Sequence, residues 1–363
     1  MNDGRVFFIG AGASKQDKFP LTSELKHGIA WAILKEPERF QVLTKHLEYL
    51  YHVSEETLEK SANLWDNLSQ PSNEPQPARC QIPDVTDLLS TLDWIIREQS
   101  SFGPGLESRD DDKRSPIDEL PEVRDLVVQA LCYSLKRYHI SHPAATTEEF
   151  VDLIVPTDSL ITTNWDLLLD AARHNKFGSE PDDYGTTGDA VLKVTGAADD
   201  SPKTEADKRP KLLKLHGSLS WRYCQRCQRL EIDPLHHVAG DREERCLCTY
   251  KYSELIVTPG FVREYRNIHL LTIWREALLA LATTSHWIFI GYSLPSDDVA
   301  IRTLLLKARC VRGDLGGDKP RVTVVTGRRG EETRARYLGI FADVELFKGN
   351  FEEFVKQKGG GIL

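Results

Sequence analysis

The sequence contains no uninterrupted apolar run that approaches the roughly 20 residues required to cross a bilayer. Its first apolar stretch, residues 6–9, is also too short for the core of a signal peptide. Basic charge is not in excess, since 46 Lys and Arg stand against 55 Asp and Glu, for a formal net charge of −9. These absences predict a cytoplasmic protein that has no membrane association and does not bind nucleic acid directly.

Apolar residues are plentiful, and several short apolar segments have the character of buried strands. Hydrophobic residues make up 40% of the 363 positions, which is ample for a packed core. Near-continuous apolar runs, typical of strands buried on both faces of a parallel sheet, occur at residues 6–9, 159–162, 212–215, 255–257, 287–290, 321–325 and 344–347. Helical patterns lie between several of them, at residues 20–34, 165–173, 269–282 and 299–308. The alternation predicts a Rossmann-like, doubly wound α/β fold.

One region interrupts this alternation and predicts a separate module. From about 36 to 150 the sequence has helical patterns near 38–51, 55–68, 85–99 and 121–139, without a convincing strand. The predicted organisation is therefore a Rossmann-like core formed by residues 1–35, 150–222 and 250–350, with a helical insertion at 36–149. A small cysteine-containing module is expected at 223–249.

Small polar clusters follow five of the predicted strands, and their position is the most informative feature of the sequence. In an open parallel sheet the carboxyl ends of the strands share one edge, and ligands bind in the crevice above it. The clusters are Gly10-Ala11-Gly12-Ala13-Ser14, Thr163-Asn164-Trp165-Asp166, His216-Gly217-Ser218, Gly291-Tyr292-Ser293 and Thr326-Gly327. Five clusters at one edge predict a binding site.

The first cluster has part of the dinucleotide-binding pattern. Gly10-x-Gly12 follows a strand and precedes a helix, where glycines allow close approach of a pyrophosphate; a plain tight turn is the alternative. The third glycine of the usual pattern is absent, and Ser14 follows instead. The second strand that dehydrogenases use to place an acidic ribose ligand is also absent, because the corresponding stretch is helical. The sequence therefore disfavours hydride transfer.

Three side chains at the predicted edge are candidates for catalysis. His216 follows a strand and precedes a glycine, which we expect to leave the imidazole uncrowded; a lone histidine is otherwise more often structural. Asn164 and Asp166 also fit the start of a helix, where Asn and Asp commonly act as caps. Capping and ligand binding are compatible, so both interpretations of these two residues remain open.

Four of the seven cysteines are close together in the sequence. Cys224 and Cys227 form a Cys-x-x-Cys pair, and Cys246 and Cys248 a Cys-x-Cys pair. In a reducing compartment, such pairs predict a tetrahedral zinc site that is structural because four protein ligands close it. Two alternatives to this four-cysteine zinc site remain. The cysteines are ordinary reduced thiols, or His236 or His237 replaces one of them as a zinc ligand.

The ordered set of motifs resembles the sirtuin superfamily. Its pattern is a Gly-Ala-Gly-x-Ser loop, then Thr-x-Asn-x-Asp, His-Gly, four cysteines and Gly-x-Ser, and the chain has each element in that order. The resemblance implies NAD as substrate and a structural Zn²⁺. It assigns the pyrophosphate to Ala11, Gly12 and Ser14, with Gly10 and Thr163 also in the NAD site, and it places Gly291, Ser293 and Thr326 against the phosphate and the adenosine ribose. Asn164 is implied to order the nicotinamide ribose and a water, Asp166 to face the carboxamide, and His216 to act as general base.

The chain departs from the protein-deacylating sirtuins at two positions. Their Pro-Asp-Phe-Arg run is replaced by Pro20-Leu21-Thr22-Ser23, without an arginine, and their Ile in Thr-Gln-Asn-Ile-Asp is replaced by Trp165. The resemblance is therefore closer to the bacterial SIR2-like NADases of anti-phage defence, which hydrolyse NAD to nicotinamide and ADP-ribose. It also implies a homo-oligomer, with or without a partner protein such as a hexameric ATPase.

Two other functions are compatible with the same residues. One is NAD-dependent removal of acyl groups from protein lysines, which differs in requiring an acylated peptide before nicotinamide is released. The other is a module that senses a nucleotide or ADP-ribose without catalysis. Loss of a biological effect in a His216→Ala variant that still binds NAD would exclude this sensing role.

Overall fold

The computed structural model describes residues 2–68, 82–98, 118–141, 145–192, 209–239, 244–260, 266–296, 298–327 and 330–357. The chain divides into two units, one formed by residues 1–19, 141–256 and 265–363 and the other by residues 20–140 and 257–264. Among the described residues, none of the helices combines the length and apolar character that a membrane span requires.

The described residues contain ten strands and twelve α-helices. In chain order, the strands are β1 (Asn2–Ile9), β2 (Ser159–Thr162), β3 (Ala190–Leu192), β4 (Lys211–Lys214), β5 (Gly217–Tyr223), β6 (Leu230–Ile232), β7 (Ser253–Ile256), β8 (Thr284–Ile290), β9 (Arg321–Val325) and β10 (Glu345–Phe347). The helices are α1 (Ala11–Ser14), α2 (Leu25–Lys35), α3 (Gln41–Tyr51), α4 (Glu55–Asn67), α5 (Val85–Glu98), α6 (Leu120–Ser141), α7 (Ala145–Asp152), α8 (Leu168–Phe177), α9 (Ile268–Thr283), α10 (Val299–Asp314), α11 (Gly330–Leu338) and α12 (Phe351–Lys356).

Six of the strands form a parallel sheet in the first unit. Their order is β10-β9-β8-β1-β2-β4, and every neighbouring pair is parallel. Read from the β4 end, this is the 3-2-1-4-5-6 order of the doubly wound fold, in which the order reverses between β1 and β8. The predicted Rossmann-like core is therefore confirmed.

Aromatic packing shows that helices cover both faces of this sheet. On one face, the Phe7 ring from β1 packs edge-on against Phe150 from α7, with centroids 5.2 Å apart. On the other face, Phe8 from β1 lies beside Phe289 from β8, and Phe289 contacts Tyr337 from α11 with centroids 4.8 Å apart. Successive side chains of a strand point to opposite faces, so this arrangement explains the near-continuous apolar runs of the sequence.

The other four strands form a smaller mixed sheet, which the sequence did not predict. Its order is β3-β6-β5-β7, with β5 antiparallel to both β6 and β7. The strand predicted at residues 255–257 is present as β7, but it belongs to this sheet and not to the parallel core. β5 alternates apolar and polar residues and has no continuous apolar run, so the criterion used for core strands does not detect it.

The second unit is helical and contains the helices predicted near 38–51, 55–68, 85–99 and 121–139, now α3 to α6, together with α2. Trp65 from α4 packs edge-on against Tyr138 from α6, with ring centroids 5.0 Å apart. A Cβ atom at Gly28 of α2 would lie 2.9 Å from the Trp65 ring, so glycine permits α2 to approach α4 closely. This unit begins at residue 20, whereas the predicted insertion begins at 36; that these helices form a functional insertion stays a prediction.

Candidate functional site

The five predicted polar clusters lie at the carboxyl edge of the parallel sheet. Four of them directly follow β1, β2, β8 and β9, and the His216 cluster follows β4 after one residue; these are five adjacent strands of that sheet. Because neighbouring strands are parallel, their carboxyl ends lie side by side. The first cluster follows β1 and the fourth follows β8, so these two flank the point at which the strand order reverses.

The two glycine clusters at this point pack directly against each other. The Gly10 N–H donates to the Ile290 carbonyl and the Gly12 N–H to the Gly291 carbonyl, both at 2.9 Å. Gly291 has φ +62, and a Cβ there would lie 2.1 Å from the backbone nitrogen of Ala13. The contact between two backbones therefore requires glycine at position 291, independently of any ligand.

A buried hydrogen-bonded group connects the clusters that follow β1 and β2. The Ser14 hydroxyl donates to Oδ2 of Asp166 at 2.7 Å and accepts from Nδ2 of Asn164 at 2.9 Å. Asn164 is 8% exposed and Asp166 4% exposed, so both polar side chains are largely withdrawn from bulk water. We refer to Ser14, Asn164 and Asp166 as the buried polar triad. The structure thus brings Ser14 into contact with two predicted site residues that lie 150 and 152 positions further along the chain.

Burial and charge act in opposite directions on Asp166. Burial is the larger influence and raises the pKa of its carboxyl group above the usual value, whereas the nearby Lys214 ammonium and the Ser14 hydroxyl act to lower that pKa. Its Oδ1 accepts the Leu168 N–H at 3.1 Å, at the start of α8. Asp166 therefore bonds the first N–H of α8 as well as the triad serine, although the residue at the N-cap position of this helix is Leu167.

Asn164 is fixed through Thr162, which is the threonine of the Thr-x-Asn-x-Asp motif but is not among the predicted site residues. The Thr162 hydroxyl donates to the Ile9 carbonyl at 2.9 Å and accepts the Asn164 N–H at 3.0 Å. Thr162 is the last residue of β2 and is 1% exposed. The expected Thr-x-Asn spacing was the available signal, because it places a hydroxyl two residues before the asparagine. Thr163, selected as a site residue, is part of this turn.

His216 lies on the connection next to the one that carries Asn164. The Leu215 N–H donates to the Thr162 carbonyl and the Leu219 N–H to the Trp165 carbonyl, both at 2.9 Å. These two hydrogen bonds join the segment after β2 to the segment after β4, one on each side of Asn164 and His216. The two residues therefore lie on adjacent segments at the carboxyl edge. His216 is 8% exposed. Its proposed role as general base stays a prediction.

The glycine after His216 is required by a close contact between two backbone segments. Gly217 has φ +75, and a Cβ there would lie 1.8 Å from the Leu255 carbonyl oxygen of β7. Glycine is therefore required where the chain turns from β4 into β5 and touches β7. That it also leaves the imidazole uncrowded stays a prediction.

The remaining predicted site residues lie at the ends of β8 and β9. Ser293 is exposed, and its carbonyl accepts a hydrogen bond from the Arg336 guanidinium at 3.2 Å. The Thr326 hydroxyl oxygen is buried and has no hydrogen-bond partner among the described residues. Both residues are in the predicted positions, and their contacts with a dinucleotide stay predictions.

The four clustered cysteines form a site that fits zinc. The sulfurs of Cys224, Cys227, Cys246 and Cys248 all lie within 4.8 Å of one another, with two Sγ–Sγ distances of 3.4 Å. Tetrahedral Zn²⁺ with Zn–S bonds of about 2.3 Å places its sulfurs roughly 3.8 Å apart, close to this spacing. These four thiolates would hold a structural zinc, as predicted. His236, the alternative ligand, instead contacts Asp233 through Nδ1 at 2.9 Å.

A family model matches half of the chain. Residues 158–340, half of the chain, match the family model described as a SIR2-like domain. The chain belongs to this family, and so to the sirtuin superfamily that its motifs resemble. The matched range includes Asn164, Asp166, His216 and the four cysteines, whereas the glycine loop after β1 lies outside it. No curated protein matches the sequence.

Several solved Sir2 structures have a similar chain path. One is Sir2Tm bound to a propionylated peptide, at 14% identity and TM-score 0.45, with 100% of this chain and 95% of that chain covered. Another is a Sir2 homolog–NAD complex, at 13% identity and TM-score 0.45, with 99% and 90% covered. A third is Sir2 bound to an acetylated peptide, at 14% identity and TM-score 0.42, with 100% and 95% covered.

Proposed function

We propose that this protein binds NAD at the carboxyl edge of its parallel sheet and hydrolyses the bond between nicotinamide and ribose. The observation that carries the proposal is the buried polar triad, in which Ser14 connects Asn164 and Asp166 across the ends of β1 and β2, next to the strand-order reversal between β1 and β8 of a SIR2-family core. In doubly wound sheets, dinucleotides bind at this reversal. The products would be nicotinamide and ADP-ribose.

The chemistry requires positioning more than a strong nucleophile. Cleavage of a glycosidic bond proceeds through an oxocarbenium-like state, and positively charged nicotinamide is already a good leaving group. Asp166 would form a hydrogen bond with the carboxamide, and Asn164, fixed by Ser14 and Thr162, would order the ribose and the attacking water. His216 would act as the general base on a ribose hydroxyl.

The rest of the dinucleotide would extend across the strand ends. The loop from Gly10 to Ser14 would face the pyrophosphate, with Ser293 also near phosphate. Thr326 would lie near the adenosine ribose, where its buried hydroxyl oxygen lacks a partner among the described residues. We further propose that NAD depletion is the biological output, in bacterial anti-phage defence, and that the protein acts in the cytoplasm as a homo-oligomer, alone or with a partner such as a hexameric ATPase.

The proposed hydrolysis is tested by incubating the purified full chain with NAD alone. We expect nicotinamide and ADP-ribose to appear in equal amounts, measured by chromatography, with the oligomeric state followed in parallel. Release that requires an acetylated peptide, with an acyl-ADP-ribose product, would instead identify a protein deacylase. Binding of NAD or ADP-ribose without product under any of these conditions would favour the sensing role.

A further inference from the structure

A buried ion pair lies directly beneath the buried polar triad. The Lys214 ammonium, on the last residue of β4, donates to Oδ2 of Asp170 in the first turn of α8 at 2.6 Å. Both residues are 0% exposed. The same ammonium also donates to the main-chain carbonyl of Asp166. One buried cation therefore connects β4, α8 and the segment that carries the triad carboxylate.

A buried ion pair contributes little net stability to a fold, because its desolvation cost offsets the attraction between the charges. Removing two charges from water costs several kcal/mol per ion, and apolar replacements of similar volume are often at least as stable. Lys214 is, however, two residues before His216, and Asp170 is four residues after Asp166. The pair thus holds together the two connections that carry the proposed catalytic groups.

We propose that Lys214 and Asp170 are positioning residues for NAD cleavage, because the Lys214 ammonium fixes the main chain of Asp166 and with it the buried polar triad. This inference rests on the proposed function. In the sequence, Lys214 interrupts the apolar run of residues 212–215, and Asp170 follows Asp166 by four residues.

The charges of Lys214 and Asp170 also act on the pKa of the Asp166 carboxyl, and this effect can be measured. Lys214 lowers the pKa of the Asp166 carboxyl and Asp170, acting more weakly, raises it. These are the charged groups that act on this carboxyl among the described residues. Two other groups lie near the Lys214–Asp170 pair. The Tyr184 hydroxyl has a pKa that is raised by burial and, to a smaller extent, by Asp170. The Arg173 guanidinium forms its own ion pair with Asp183 at 2.6 Å.

The test replaces both charges together, in the variant Lys214→Met/Asp170→Leu. Removing the pair as a unit leaves no uncompensated buried charge, so we expect the chain to fold. Release of the Asp166 main chain should lower kcat by about 10²-fold, because small displacements of catalytic groups have effects of that order, with little change in KM. Loss of the stronger influence, that of Lys214, should raise the Asp166 pKa. The acidic limb of the kcat profile, in which protonation of Asp166 adds to that of the general base His216, should therefore move to higher pH.

A matched control is an ion pair that lies in the same sheet but away from the carboxyl ends of its strands, between β1 and the start of β2. Arg5 and Asp158 are in contact at 2.6 Å, and the Asp158 side chain is 0% exposed. The variant Arg5→Met/Asp158→Leu should lower the free energy of unfolding without moving the pH profile or changing kcat by more than about threefold. It therefore separates a loss of stability from a loss of positioning.

Three outcomes decide the inference. If the wild type releases no nicotinamide, the proposed function fails first and the pair has no reaction to position. If the wild type is active and the Lys214→Met/Asp170→Leu variant keeps its kcat or its pH profile, the positioning role is wrong while the function stands. Should that variant not fold, Lys214→Gln/Asp170→Asn keeps hydrogen-bonding side chains at both positions without either charge. An unmoved acidic limb in this variant would again overturn the inference.

Discussion

The variants Asn164→Ala and His216→Ala are each expected to reduce the rate of nicotinamide release by about 10²- to 10⁴-fold, with the fold retained. Loss of a general base has an effect of this order. Loss of Asn164 removes the donor to the Ser14 hydroxyl and the group proposed to order the ribose. The rates are measured as initial nicotinamide release under saturating NAD, and thermal unfolding is followed in parallel.

The matched control for these variants is His236→Ala. His236 has a side chain that is 74% exposed and contacts Asp233, so its loss should leave the rate within about twofold of the wild type. Rates in Asn164→Ala or His216→Ala as high as in this control would show that the two residues have no catalytic role. The predicted site would then be a dinucleotide-binding site at most.

Gly291→Ala is expected to lower the free energy of unfolding by about 2–5 kcal/mol and to weaken NAD binding. The left-handed conformation costs a residue with a Cβ about 1–2 kcal/mol, and forced overpacking adds about 1–3 kcal/mol. The clashing atom is the backbone nitrogen of Ala13, so the glycine loop must move for the methyl group to fit. Denaturant unfolding and NAD titration measure the two effects.

Gly313→Ala provides the control for this backbone effect. Gly313 lies in the last turn of α10, and no atom lies within 4 Å of a Cβ built there. Alanine at this helical position should leave the protein unchanged or slightly more stable, by up to about 1 kcal/mol. Equal stability of the Gly291→Ala and Gly313→Ala variants would contradict the close contact between the two glycine clusters.

The parallel core could be predicted because its strands are buried on both faces. Apolar runs such as those of β1 and β8 are read directly from the sequence, and the rule that parallel strands end at one edge then places the polar clusters together. The four cysteines were predictable for a similar reason, since paired spacing restricts how thiolates are presented to a metal.

Other features depend on contacts that one sequence does not display. The smaller sheet was missed because β5 alternates polar and apolar residues. The reasons for Gly217 and Gly291 lie in backbones distant along the chain, those of Leu255 and Ala13. Lys214 resembles an ordinary strand-end lysine until its ammonium is seen buried between Asp166 and Asp170.

The most direct test of the single dinucleotide site is a crystal structure of the inactive His216→Ala variant with NAD. We predict the dinucleotide across the carboxyl ends of β1, β2, β4, β8 and β9, with its pyrophosphate at the loop from Gly10 to Ser14. The nicotinamide ribose should lie between Asn164 and the position vacated by the imidazole. NAD bound elsewhere, or with its nicotinamide end remote from Asn164, would contradict the account.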